Sequence, residues 1–448
     1  MSSSVLDCRG HALGTGSQAA GEAFDRGIHS FACWRTDTFA HLDASIASDP
    51  DFAMARLAQG WILHTARSES FRPKIEGILA ATEPMLSDAD PRERIYHDGL
   101  KAAVGGFGIE AGTTLEAMLL EHPRDLFAHR LVQFELFWNG RSRWMRDIVE
   151  RAAPQWDESV SDYGCFLSVR AFSNEECGEY ELAERCGRAA VEIDPADCWG
   201  AHAIAHVLVM QGRIDEGVDW LLGLSQHWGN ANQMRHHLWW HLCLFLLERG
   251  EHSRILEILG THIRNPESPL VKAVPDATID IQNVASLLMR LELRGVDVSE
   301  HWPMLAEICA GRIHNHANAF SNAHDMMILA ACGEFDLASQ MLTSMREANA
   351  LSDRSLTVSY ATSGIAVCEA VLAHRRSEYD RVVDLLAPVR HDLPLIGGSH
   401  AQRDIFFQML VDAAHRTGRT GVVGLFLDDV RRIGFDQVEA RSLYREVA

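Results

Sequence analysis

A helix-breaking residue recurs along this chain after each long apolar run, and that punctuation constrains the fold more than any motif does. The breakers are Arg35, Ser68, Gly106, Gly140, Gly178, Gly212, Gly250, Gly295, Gly333, Arg376 and Gly418, spaced 33 to 45 residues apart. Periods of roughly 34 to 47 residues belong to tetratricopeptide and related helical-hairpin arrays. In such arrays one repeat cannot bury its apolar face alone and stacks on its neighbours. Sustained period-two alternation bounded by turn dipeptides, the mark of half-buried strands, is lacking. The spacing therefore predicts an all-α fold, an α-solenoid of stacked tetratricopeptide-like helix hairpins, with residues 1–448 forming a single domain.

One unit comes close to the tetratricopeptide consensus, with Gly178, Tyr180, Ala183, Glu184, Ala189, Pro195, Ala201 and Gly212 in register. Gly212 permits a tight turn between antiparallel helices, and the alanines permit close helix approach. Pro195 cannot continue a helix, so the chain stops and restarts there. The helix ahead of each breaker is expected over 197–211, 230–249, 277–294, 316–332, 355–375 and 400–416, and the helix after it over 213–227 and 251–263. Segments 266–275 and 393–399 read as extended loops between repeats, too short to divide the chain.

Composition narrows the partners. Acidic residues number 62 against 41 basic ones, a formal charge of −21, which repels phosphate backbones and makes nucleic acid an unlikely partner class. The N-terminus lacks a basic segment followed by an apolar one, and no run approaches the roughly 20 apolar residues of a membrane span, so neither a signal peptide nor a membrane partner is expected. The ten cysteines form no CxxC pair, and Cys243, Cys332 and Cys368 lie in apolar helical runs, which predicts reduced thiols in a cytoplasmic protein.

Unusual chemistry gathers on the helices ahead of the breakers in the C-terminal half. His202 and His206 are spaced i, i+4, as are His237 and His241, so each pair shares one helix face. His202 lies ten residues before Gly212, His241 nine before Gly250 and His324 nine before Gly333. These histidines are thus expected at similar heights on one concave His/Trp-rich surface. Trp240, directly before His241, is expected to face it while Trp239 packs elsewhere. Glu175 and Glu176 end a helix, where the dipole disfavours negative charge, so they need a cationic partner or form a solvated turn. Ser399 and Gln402 read as a capping box opening the last of these helices, which leaves His400 and Arg403 for another purpose.

The segments AFSNEECGEYELAE around Glu175 and Glu176, HAIAHVLVMQGRIDEG from His202, HLWWHLCLFLLERG from His237, NVASLLMRLELRG from Asn283, FSNAHDMM around His324 and IGGSHAQRDIF around His400 together carry a resemblance. The chain resembles the tetratricopeptide-repeat protein 38 family from about Asp51 onward, most densely after Phe172. The resemblance implies an all-α tetratricopeptide solenoid and no defined activity. It also implies acidic residues at the positions of Asn283 and Asn322, so two carboxylates have become amides here.

Two function classes follow. In the first, the concave pocket binds a small molecule or a peptide segment through His202, His206, His237, Trp240, His241, Asn283, Asn322, His324, His400 and Arg403, with Glu175 and Glu176 nearby. In the second, the pocket is that of a hydrolase, lyase or isomerase in which His241 or His324 acts as acid or base, Asp280 orients it and Arg403 holds an anion. HxxxH pairs also suit a metal, but Ala203 and Leu238 stand where HExxH zinc enzymes carry their glutamate, so a metal is admitted without being favoured. No organic cofactor signature is present, and a homo-oligomer is admitted.

Overall fold

The computed structural model describes residues 5–87, 90–350, 354–433 and 438–447. Among these the regular structure is helical. Two isolated bridges, Leu6 with Ala12 and Arg35 with Ala231, are the β contacts described.

The breakers mark a repeated backbone event. All eight breaker glycines adopt left-handed φ, between +66° and +91°. At the three other breakers a neighbour takes that role: Trp34 (φ +58°), Arg67 (+50°) and Ser377 (+60°). A left-handed residue after the last helical turn lets the next amides bond back to the orphan carbonyls and reverses the chain. Gly178 N and Glu179 N do so onto the carbonyls of Glu175 and Asn174, at 2.9 and 3.0 Å.

The helices ahead of the breakers fall close to expectation, including Cys198–Met210, Met234–Arg249, Thr278–Glu292, Ala319–Ala331 and His400–Arg416. Two helical stretches depart from the pattern. After Gly295 the chain forms a 3₁₀ turn, Ser299–Leu305, and a short helix, Ala306–Ala310, because Pro303 interrupts the run. Ser355–Arg375 is helical but carries a π turn at Tyr360–Gly364. This stretch is long and apolar enough to cross a membrane by length and composition, contrary to the sequence reading, and over half of it is buried within the structure.

The chain packs as two compact units. The first comprises Met1–Phe137, Arg141–Ile204 and Gln226–Met234; the second comprises Trp138–Gly140, Ala205–Ser225 and Arg235–Ala448. In the first unit the Leu126–Trp138 helix is buried on every side through Phe137, which is why its sequence shows little amphipathic alternation. Trp156 stacks on Phe166 with centroids 4.4 Å apart, and Tyr96 Oη donates to Asp125 at 2.7 Å.

In the second unit the two segments expected as extended loops are partly helical, Pro269–Ala273 as a short α-helix and Leu393–Ile396 as a 3₁₀ turn, and the latter lies so close to the turn at Gly140 that a Cβ there would stand 2.3 Å from the Pro394 carbonyl oxygen. Ser399 and Gln402 form the expected capping box on His400–Arg416. A buried charge network sits on that helix. Asp404 accepts from Arg441 at 2.5 Å, Tyr444 at 2.5 Å and Gln408 at 2.6 Å. Burial alone would push its carboxyl up, but Arg441 and Arg290 hold it below the usual carboxylate range. Arg290 itself donates to the Ala401 carbonyl at 2.9 Å.

Candidate functional site

The second unit gathers part of the predicted residue set. The Met234–Arg249 helix presents His237 and His241 one turn apart, and His206 comes from the C-terminal half of Cys198–Met210. One nitrogen of each of these three imidazoles lies within 4.8 Å of the others. The His206 and His241 rings are 4.5 Å apart, and those of His237 and His241 are 4.7 Å apart at 79°. Trp240 stacks flat on His237 at 4.9 Å, and the Arg290 guanidinium lies over the Trp240 ring, 5.6 Å from its centroid. Trp239 turns away and stacks on His262 at 3.9 Å, as adjacent helix positions about 100° apart require.

Hydrogen bonding orients the cluster. His237 Nδ1 meets Asn283 Oδ1 at 2.8 Å; because that oxygen only accepts, the imidazole donates from Nδ1 and keeps its Nε2 lone pair. Burial pushes the His237 imidazole down to about 3, against the opposing pull of Asn283. Burial also drives His241 well below its ordinary range, reinforced by His206, His237 and Arg290. These two rings are therefore neutral at pH 7. That is the form in which imidazole binds a metal or accepts a hydrogen bond.

Asp280 departs from expectation. It does not orient His241 or His324; it pairs with His236 at 2.9 Å, a histidine that the sequence reading did not single out. His236 precedes His237 on the helix, so its side chain leaves by a different face and finds the carboxylate there. His324 sits against Phe320 and Phe406, at 4.3 and 6.0 Å, with Nδ1 donating to the Phe320 carbonyl at 2.8 Å. Burial lowers its pKa to about 4.

Asn322 holds structure together. Its amide donates to the Asn315 carbonyl at 2.8 Å and its oxygen accepts from Tyr360 at 2.6 Å. Arg403 donates to the Gly398 carbonyl and lies 3.3 Å from His400 Nδ1, so its guanidinium braces the loop that precedes its own helix. In the first unit, His202 lies against Phe172 and Trp199, at 5.3 and 4.8 Å. Glu175 and Glu176 are buried there, which overturns the solvated-turn alternative.

Several buried polar atoms of the second unit have no hydrogen-bond partner among the described residues: Trp240 Nε1, Asn283 Nδ2, His324 Nε2 and Asp280 Oδ2. Such orphans are uncommon in folded interiors and call for an explanation. Arg290 is the further residue of interest, and its position within the apolar run of Thr278–Glu292 was the signal available in the sequence. No protein-family model matches the chain.

Proposed function

We propose that this chain binds a small polar molecule among the histidines of its second unit, on a scaffold of stacked tetratricopeptide-like helix hairpins of the kind found in the tetratricopeptide-repeat protein 38 family. The observation that carries the reading is the meeting of His206, His237 and His241, one nitrogen of each within 4.8 Å, in a buried setting. Two donors, Trp240 Nε1 and Asn283 Nδ2, offer hydrogen bonds that a ligand oxygen would accept. Burial of the whole trio favours a compact ligand over a peptide segment, which needs an open groove. The acidic charge keeps nucleic acid out of the reading, and a cytoplasmic setting belongs to it.

A second reading, a metal-dependent hydrolase or lyase, rests on the same trio, because three imidazoles are a common ligand set for a catalytic zinc. Elemental analysis of the purified chain, with His206→Ala and His241→Ala beside it, separates the two. Metal content unchanged in both variants, with a wild-type melting temperature that rises with particular small polar compounds and variants that do not respond, supports the first. Stoichiometric metal lost in both variants transfers the conclusion to the second. Metal content unchanged in both variants and no response to any compound class refutes both.

A further inference from the structure

The first unit contains a different cluster that the histidine trio does not use. His29 lies in the last turn of the Gln18–Ala32 helix, and Cys33 caps that helix four residues on. Cys165 comes from the first turn of Tyr163–Glu175, 132 positions away in sequence from Cys33. Cys33 Sγ stands 3.4 Å from Cys165 Sγ and 3.8 Å from His29 Nε2, and the three ligand atoms all fall within 4.8 Å of one another. We propose that His29, Cys33 and Cys165 form a three-ligand site for a divalent zinc-like cation.

The distances suit the chemistry. Zinc bonds of about 2.3 Å to sulfur and about 2.0–2.1 Å to nitrogen place tetrahedral ligand atoms roughly 3.6–3.8 Å apart. The two separations from Cys33, 3.4 and 3.8 Å, need adjustments of a few tenths of an ångström, and the third, from Cys165 to the imidazole and within 4.8 Å, needs at most about 1.2 Å. Two thiolates and an imidazole select a borderline-soft cation over calcium or magnesium. Binding displaces the two thiol protons to solvent, so the dication and two thiolates make a neutral group. Neutrality matters, because the sulfurs lie in an apolar cluster with Val149, Trp156, Val160, Phe166 and Val169.

The surroundings prepare the histidine for this role. His29 Nδ1 is 2.7 Å from Asp162 Oδ1, which keeps the proton on Nδ1 and turns the Nε2 lone pair toward Cys33. That is the carboxylate–histidine arrangement that commonly backs a metal ligand. Asp162 is itself held by Arg9, which also reaches Asp25 at 3.3 Å. It adopts a left-handed backbone, φ +63°, a conformation that persists where the surroundings over-determine it. The sulfurs are buried, at 1% and 5% exposure, while the His29 side chain is 39% exposed. The fourth coordination position therefore has a route to solvent along the histidine edge.

The test uses the full chain, reduced and stripped with chelator, then titrated with Co²⁺ and, separately, Zn²⁺. One equivalent of Co²⁺ should bring up thiolate-to-cobalt charge-transfer absorption, and one equivalent of Zn²⁺ should abolish it. The band should vanish in Cys33→Ser and Cys165→Ser and survive in His241→Ala, which removes one member of the second unit's trio. Asp162→Asn, which keeps all three ligands, should weaken Zn²⁺ binding by about 10- to 100-fold. Failure of either serine variant to fold leaves the wild-type spectrum and Asp162→Asn to decide. Cobalt bound without a thiolate band would overturn the site. So would reduced protein that takes up no cation yet cross-links Cys33 to Cys165 under mild peroxide, since the pair would then be a redox dithiol.

Discussion

Replacing Asp404 by asparagine should destabilise the second unit severely, and the cause is electrostatic. Asp404 is fully buried and accepts from Arg441 and Tyr444, each at 2.5 Å. Asparagine preserves the shape and can still accept from Tyr444, so little packing is lost. What is lost is the charge nearest Arg441, which also has the Glu248 carboxylate 3.5 Å away. Removing one partner of a buried pair costs about 3–5 kcal/mol, because the other charge stays buried with less to neutralise it. At about 2–4 °C per kcal/mol for a unit of this size, the melting temperature should fall by about 6–20 °C. The pH dependence carries a second signature. The folded-state pKa of Asp404 is depressed, so its contribution is present in full above the unfolded value of about 3.9 and is lost as pH falls through the lower folded value. Urea midpoints, read by tryptophan fluorescence, should show a constant gap between wild type and variant from pH 7 to pH 5 and a shrinking gap below about pH 4. A pH 7 gap under about 1 kcal/mol, or one that widens in acid, would refute the reasoning.

Three smaller perturbations test local claims. Gly250→Ala places a side chain in open space but in a left-handed backbone at φ +71°, so thermal unfolding should register a loss of about 1–2 kcal/mol, less with Gly250→Asn. Gly217→Ala should also destabilise, by about 1–3 kcal/mol in chemical unfolding, although alanine is the better helix former, because its Cβ would stand 2.3 Å from the Phe245 ring. Ser399→Ala removes the hydroxyl that accepts from Gln402 N at 3.2 Å; about 0.5–2 kcal/mol should be lost, with faster hydrogen exchange confined to the first turn of His400–Arg416.

The helices were legible where the signal was local. A glycine after an apolar run marks a left-handed junction because glycine adopts that backbone without steric cost, and Gly178, Gly212 and Gly333 all do so. Where no glycine stands, the left-handed residue fell one position from the breaker that spacing suggested, on Trp34, Arg67 and Ser377, since no side-chain propensity marks tryptophan or arginine for that role. The i, i+4 face of His237 and His241 was likewise fixed by helix geometry, with rings 4.7 Å apart. Partners on other helices were harder. Asp280 went to His236 rather than His241, a choice made by the roughly 140° that five steps of about 100° put between the two on their helix. Arg441 and Tyr444 lie 37 and 40 positions from Asp404, and Cys165 lies 132 from Cys33, so only packing reveals either group. Burial, and with it the neutrality of His237, follows from what covers the helix, and that information is spread over the whole chain.

The left-handed residue at all eleven junctions means that the period of this chain is written in backbone handedness. Side chains around a junction can drift while the reversal persists, which is how Trp34, Arg67 and Ser377 stand in for glycine. The consequence concerns length change. Insertion or loss of one whole period carries its own junction with it and returns the following helix to the same phase. A change of two or three residues inside a helix rotates everything beyond it by 200° or 300° at about 100° per residue, and ahead of His237 it would turn the face that His237 and His241 share away from Asn283.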